Sequence, residues 1–177
     1  MIYRKLGQSD LMCSVVGLGT WGMGGDSWAG SGAVDDDLSV ETLRAGIDAG
    51  INLIDTAQPY GFGHAEEVVG RAIAGRREKV IVATKCVSYQ DADHAYHKDW
   101  RPEVLRAQIE GSLKRLGVDT IDLMQVHWPD PDPSHPLEDA FREMNKMREE
   151  GMFRYVGVSN FDGKLIDEAK EYCPIVS

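Results

Sequence analysis

Cysteine is scarce. Cys13, Cys86 and Cys173 are an odd number without metal-type spacing, so they read as reduced, mostly buried thiols of a cytoplasmic protein. Positive charge is also scarce. Nineteen Lys and Arg against 29 Asp and Glu leave a net charge of −10. Phosphate backbones reward clustered Lys and Arg, so nucleic acid is set aside as a partner. A few local cations would still suffice for a phosphorylated cofactor. Long apolar runs are missing too. The longest, such as Val80–Thr84, fall far short of the roughly 20 residues of a membrane helix, and no membrane partner is expected. Nothing basic and then apolar opens the chain, so export is not indicated.

What is present is rhythm. The 177 residues suffice for one domain over 1–177 with a real core. The opening "YRKLGQSDLMCSVV" predicts a hairpin turning at Gly7-Gln8-Ser9-Asp10. After it a short apolar strand, a polar loop and an amphipathic helix recur. The predicted strands are Val15–Thr20, Asn52–Thr56, Lys79–Lys85, Thr120–His127 and Tyr155–Asn160, with Pro174–Ser177 beginning a sixth. Ala65, Val68, Val69, Ala72 and Ile73 line one helical face. Leu105, Ile109, Leu113 and Leu116 line another, entered at Pro102 and stopped at Gly117. Leu137, Ala140, Phe141, Met144 and Met147 line a third, and Ser39–Ala49 and Leu165–Tyr172 complete five. These stripes are core. Asp35-Asp36-Asp37 reads as a solvated run ahead of a helix, favourable to its dipole.

Alternating strands and helices imply parallel βαβ units, in an open sheet or a barrel. Thr20, Asp55, Lys85, His127 and the pair Ser159-Asn160 all fall at carboxyl ends of successive strands. A (β/α) barrel gathers such ends at one mouth, where active sites of that fold lie, whereas an open sheet spreads them along an edge. The expectation is an α/β fold of the (β/α)8 TIM-barrel type. Strand ends recur roughly every 35 residues, so eight units need about 280 residues. The chain therefore reads as the first five-eighths of a barrel: a hairpin, about five βα units and the start of strand six.

"GLGTWG", Gly17 to Gly22, matches the dinucleotide fingerprint G-x-G-x-x-G in letters only. A true fingerprint opens a helix that receives the pyrophosphate, and here a loop follows until about Ser39. These glycines are better suited to close backbone approach by something bound at the mouth. Asp55, Tyr60, Lys85 and His127 each have an ordinary reading alone: a loop cap, packing, a snorkelling lysine, a core histidine. Together they bring an acid, a phenol, an ammonium and an imidazole from three adjacent strand ends to one place. A free phenol is a reluctant acid near neutrality, and a nearby ammonium eases its ionisation. Asp55 would pair with Lys85, and His127 would orient a carbonyl towards the phenol. The hydride would have to come from a nicotinamide, since side chains cannot supply it.

The chain resembles an aldo-keto reductase. The resemblance rests on "GLGTWG", "LIDTAQPYGFGHAEEVVGRAI", "VIVATK", "SLKRLGVDTIDLMQVHWPD" and "GMFRYVGVSNF", in that order and over almost the whole chain. It implies a (β/α)8 barrel that binds extended NADPH without a Rossmann domain and reduces aldehydes and ketones. The family's catalytic tetrad falls on Asp55, Tyr60, Lys85 and His127. Its nicotinamide-binding pair falls on Ser159 and Asn160, with Thr20, Trp21 and Asp55 also beside the cofactor. Trp21, Tyr60, His127 and Trp128 match the substrate pocket, and Trp28 adds an aromatic to the mouth. Ala65 stands where the family more often has Ser. The family continues past "PIVS" with a Gln, a nicotinamide-stacking Tyr and later loops for the 2′-phosphate, so NADP over NAD is implied by resemblance alone.

Other readings stay in view. His94, His97 and Asp99 share one predicted loop, and His127, Asp130, Asp132 and His135 another. The proline-rich "HWPDPDPSH" lacks fixed ligand spacing, so no metal is expected. The alternative function is a catalytically inactive fragment or interaction module. Potassium-channel β subunits resemble the same family, and the unpaired edges of a half barrel invite self-association.

Overall fold

The computed structural model describes residues 1–25, 34–90, 95–130, 132 and 134–177. Trp28 and His94 lie outside the described residues. The chain opens with β1 (Tyr3–Lys5) and β2 (Met12–Ser14), an antiparallel hairpin in the predicted place. Then follow β3 (Gly17–Gly19), a 3-10 turn (Trp21–Met23), α1 (Asp36–Asp48), β4 (Leu53–Asp55) and α2 (His64–Ile73). The chain continues through β5 (Ile81–Cys86), β6 (Ser88–Gln90), β7 (Tyr96–Lys98), α3 (Pro102–Leu116) and β8 (Ile121–Val126). It ends with α4 (Leu137–Glu149), β9 (Phe153–Val158) and α5 (Gly163–Lys170).

Five strands form one sheet in the order β3-β4-β5-β8-β9, every pair parallel. Sequential neighbours, each joined by a helix, are the arrangement of a (β/α)8 barrel, here an open arc of it. The sixth strand is only begun: Ile175 bridges Val156 in parallel, and Val176 N donates to Val156 O at 2.9 Å. The core lies between the arc and its helices. In α2 the predicted stripe of Ala65, Val68, Val69, Ala72 and Ile73 is buried throughout, and Phe141, Met144 and Met147 of α4 have no exposed surface. Each large apolar side chain so buried contributes about 1.5–3 kcal/mol.

A second cluster seals the amino ends of the strands. Leu11 and Cys13 of the hairpin pack on Ile81, with Leu6, Leu53 and Tyr155 around them. Asn52 ties the hairpin to β4, accepting from Ser14 N at 2.7 Å and donating its own N–H to Ser14 Oγ at 3.0 Å. Among the described residues the three thiols are free and buried, and burial pushes Cys86 up to about 12.

Two readings of the sequence need correction. Helix α1 starts earlier than its apolar stripe, because Asp35 caps it by accepting from Leu38 N at 3.0 Å. Asp36 and Asp37 are therefore its first turn rather than a run ahead of it. Asp36 holds His64 at 2.8 Å and Asp37 pairs with Arg71. The segment around His97 is a small antiparallel hairpin, β6 with β7, rather than a loop. Tyr89 and His97 stack across it at 5.1 Å, and cross-strand aromatic pairing of that kind stabilises so short a ladder.

Candidate active site

The parallel ladder runs one residue past several strand ends, which fixes where the functional side chains emerge. Thr20 N donates to Asp55 O at 3.0 Å, Thr56 N to Ala83 O at 2.9 Å, His127 N to Cys86 O at 3.2 Å and Ser159 N to Val126 O at 2.8 Å. Asp55, Lys85, His127 and Ser159 are thereby held on adjacent strands at one rim. Tyr60 reaches the same rim from a tight turn between β4 and α2. That turn needs Gly61 in the left-handed region (φ 65°), where a Cβ would overlap Gly24 O.

Lys85 is the centre of the group and is only 6% exposed. Its ammonium donates to Asp55 Oδ1 at 2.6 Å, to Thr56 O at 2.8 Å and, more weakly, to Tyr60 Oη at 3.4 Å. All three of its N–H groups are thus used. The second oxygen of Asp55 accepts from Gln125 Nε2 at 3.3 Å. The His127 ring meets the Tyr60 ring edge-on, with centroids 6.2 Å apart. Burial, then the charges of Lys85 and Lys98, push the His127 imidazole down to about 4, so it is neutral at pH 7. Its Nδ1 is buried without a hydrogen-bond partner among the described residues.

The remaining residues named from the sequence frame this group. Trp21 is exposed on its 3-10 turn. Trp128 is partly exposed beside His127, its ring centroid 6.1 Å away, with Lys98 Nζ 4.6 Å above it. Asn160 adopts φ 60°, which Asn tolerates, and its Nδ2 donates to His127 O at 2.8 Å and to Ser159 Oγ at 3.0 Å. Thr20 is fully buried and spends its hydroxyl on Asp55 O at 3.1 Å, so it supports the rim from below. Among the described residues, "GLGTWG" leads into a 3-10 turn rather than an α-helix, and a Cβ at Gly19 or Gly22 would meet nothing within 4 Å. Protein packing does not require those two glycines.

Among the described residues, no group of three His, Cys, Asp or Glu is placed to hold a metal ion. Asp99 is engaged by Arg101 at 2.6 Å, and Asp130 by His135 at 2.8 Å. Sequence reasoning missed Gln125, Lys98 and Glu66. Gln125 had a signal, since it interrupts an apolar strand two residues before His127 and so points to the same face. Lys98 had none, because the β6–β7 hairpin that carries it was not foreseen.

The sequence matches the Aldo/keto reductase family over residues 15–177. The chain belongs to the aldo-keto reductases. It is 41% identical to the aldo-keto reductase YhdN of Bacillus subtilis (strain 168), covering 99% of this chain and 52% of that protein. It is 36% identical to the NADH-specific methylglyoxal reductase of Escherichia coli (strain K12), covering 94% and 54%. A glycerol dehydrogenase from Gluconobacter oxydans superposes with a TM-score of 0.86 at 42% identity, covering 98% of this chain and 53% of that one. The chain spans about half the length of the relatives it matches. As an aldo-keto reductase chain it carries the strand ends that bear Asp55, Lys85 and His127 and the turn that bears Tyr60. Glu66, on the buried face of α2, belongs to the wall behind them.

Proposed function

We propose that the protein carrying this chain reduces an aldehyde or ketone to an alcohol, with Tyr60 delivering the proton and a nicotinamide cofactor delivering the hydride. The observation that carries the reading is the Lys85 ammonium, 2.6 Å from Asp55 and 3.4 Å from the Tyr60 hydroxyl, at the rim shared with His127. Asp55 holds the ammonium in place, and the ammonium favours the phenolate left behind when Tyr60 gives up its proton. Neutral His127 donates an N–H to the substrate carbonyl oxygen and turns it towards Tyr60. Trp21 and Trp128 give the substrate apolar walls.

The residues present fit a nicotinamide. Asn160 donates to Ser159 Oγ, which leaves the Ser159 hydroxyl proton and Asn160 Oδ1 as a donor and an acceptor side by side. A primary carboxamide offers the complementary acceptor and donor. Bound there, the cofactor supplies the hydride that no side chain can. NADPH is the proposed form, by resemblance. NADH is the competing form, which an E. coli relative is named for. Cofactor fluorescence titrated with each form separates them.

Tyr60→Phe is expected to lower carbonyl reduction by about 10²–10⁴-fold, the usual worth of a general acid, and to leave cofactor binding intact. Unchanged turnover in that variant overturns the assignment. Oxidation of NADPH across aldehydes, ketoses and quinones identifies the substrate class. One observation favours a second reading, an interaction module that associates with itself: β3 pairs on one side only, with β4, and leaves a sheet edge unpaired among the described residues. Light scattering together with the cofactor titration distinguishes a non-binding oligomer from the enzyme.

A further inference from the structure

Among the described residues, Glu66 is the most deeply buried carboxylate, with no exposed surface. It accepts from Thr84 Oγ1 at 2.6 Å and from Arg115 Nε at 2.7 Å. Both neighbours matter for where it stands. Thr84 directly precedes Lys85 on β5. On the other side, Ala65 N donates to Tyr60 O at 3.2 Å, which fastens the backbone of Tyr60 to the first turn of α2 immediately before Glu66. Arg115 reaches the pair from α3 and passes under Gly63, whose φ of 90° and missing Cβ leave room for the guanidinium stem.

Docking α2 does not need a buried ion pair. Five apolar side chains of that helix are already buried, and Val68, Val69 and Ile73 among them are each worth kilocalories. Buried salt bridges are weak stabilisers, and apolar replacements of the whole pair are often neutral or better. What apolar contact fixes poorly is sliding along the interface. A hydrogen bond fixes it well, because its energy falls steeply with distance and angle.

We propose that the Glu66–Arg115 pair is a positioning device: anchored on Thr84, it sets the separation between the Tyr60 hydroxyl and the Lys85 ammonium. The inference rests on Tyr60 being the acid. Misplacement of reacting groups by about 1 Å costs up to roughly 10²-fold in rate, so losing the tie is expected to lower kcat while leaving ligand binding alone.

The test uses the full protein and variants without unpaired buried charge. The double variant Glu66→Leu with Arg115→Met is expected to fold, to lose about 10- to 100-fold in kcat, and to keep KM and cofactor affinity. Its solvent deuterium isotope effect on kcat is expected to rise as proton transfer becomes limiting. Glu66→Gln with Arg115→Met restores an acceptor for Thr84 and is expected to recover most of kcat. Thr84→Val leaves the ion pair intact, removes only the anchor and lowers kcat even if the Leu variant fails to fold. Wild-type kcat per cofactor-binding site in the folded Leu variant and in Thr84→Val overturns the proposal, as do equal losses in both double variants. Tyr60→Phe, assayed in parallel, separates the two failures. If it retains turnover, the reading of Tyr60 falls and this inference with it. If it abolishes turnover while Thr84→Val and the Leu variant do not lower kcat, only the positioning role is lost.

Discussion

Both ends of the parallel sheet hold buried charge, but they hold it differently. At the amino end Asp122 lies within β8 and is 5% exposed. Its Oδ2 accepts from Arg77 Nη2 at 2.6 Å and Val82 N at 2.9 Å, and its Oδ1 faces Arg154 Nη1 at 3.3 Å. Arg154 continues to Asp10 of the hairpin at 2.6 Å. Every member is matched, and the network stitches the hairpin, the turn before β5, β8 and β9 together. At the carboxyl end the matching is partial. Lys85 is saturated, yet the side chain of Asp55 is 42% exposed and the buried Nδ1 of His127 lacks a partner among the described residues. A closed network supports the fold, whereas an incompletely matched one keeps hydrogen-bonding capacity for something else. On the proposed function, that is the difference between a structural end and a reacting end.

Exchanging the damage sharpens the contrast. Lys85→Met is expected to cost about 10²–10⁴-fold in turnover while moving the denaturation midpoint little, because water reaches the Asp55 carboxylate left behind. Asp122→Ala is expected to do the reverse. It strands Val82 N–H and two guanidinium groups that water partly reaches, so a loss of about 2–3 kcal/mol is expected by chemical denaturation. Turnover per folded molecule is expected to stay unchanged. If Asp122→Ala reduced turnover of the folded protein, or Lys85→Met unfolded it, the division between the two ends would fail.

The smallest expected effect lies within the reacting end and is read by NMR titration. His127 is expected to titrate near pH 4, below its ordinary 6.5. As pH falls through 6.5 the unfolded chain takes up a proton that the folded chain refuses. Stability therefore declines from about pH 6.5 to about 4 on this account and levels off below. Lys98→Met is expected to move the midpoint upward, by less than Lys85→Met does, since Lys85 makes the larger contribution. His135 is expected to move the opposite way from its ordinary value, because its hydrogen bond to Asp130 favours the charged ring. A His127 midpoint at 6 or above would remove the case for a neutral imidazole held by burial.

Periodicity made the repeating βα units and the helical stripes legible, and the polar residues at strand ends made the candidate site legible. Asp55, Lys85 and His127 interrupt apolar runs where a barrel turns its strands towards the mouth, so type and position carried the signal together. What escaped depended on tertiary pairing. Glu66 sits at a buried position of α2, seven residues before Ile73, and only its contacts with Thr84 and Arg115 explain a charge there. Asp122 likewise looks misplaced within "IDLMQV" until Arg77 and Arg154 arrive from distant segments. The β6–β7 hairpin was missed because its strands are three residues each. Two turns of alternation are too few to register against loop composition.

The near-contact of Gly61 with Gly24 O has a consequence for what the mouth can accommodate. Gly25 likewise approaches the ring of His64, where a Cβ would come within 3.2 Å. At Gly61 the turn that carries Tyr60 lies against the backbone of the turn that carries Trp21, while at Gly25 the neighbour is the His64 side chain. Any side chain grown at Gly61 presses one turn against the other, and so displaces the phenol relative to the indole.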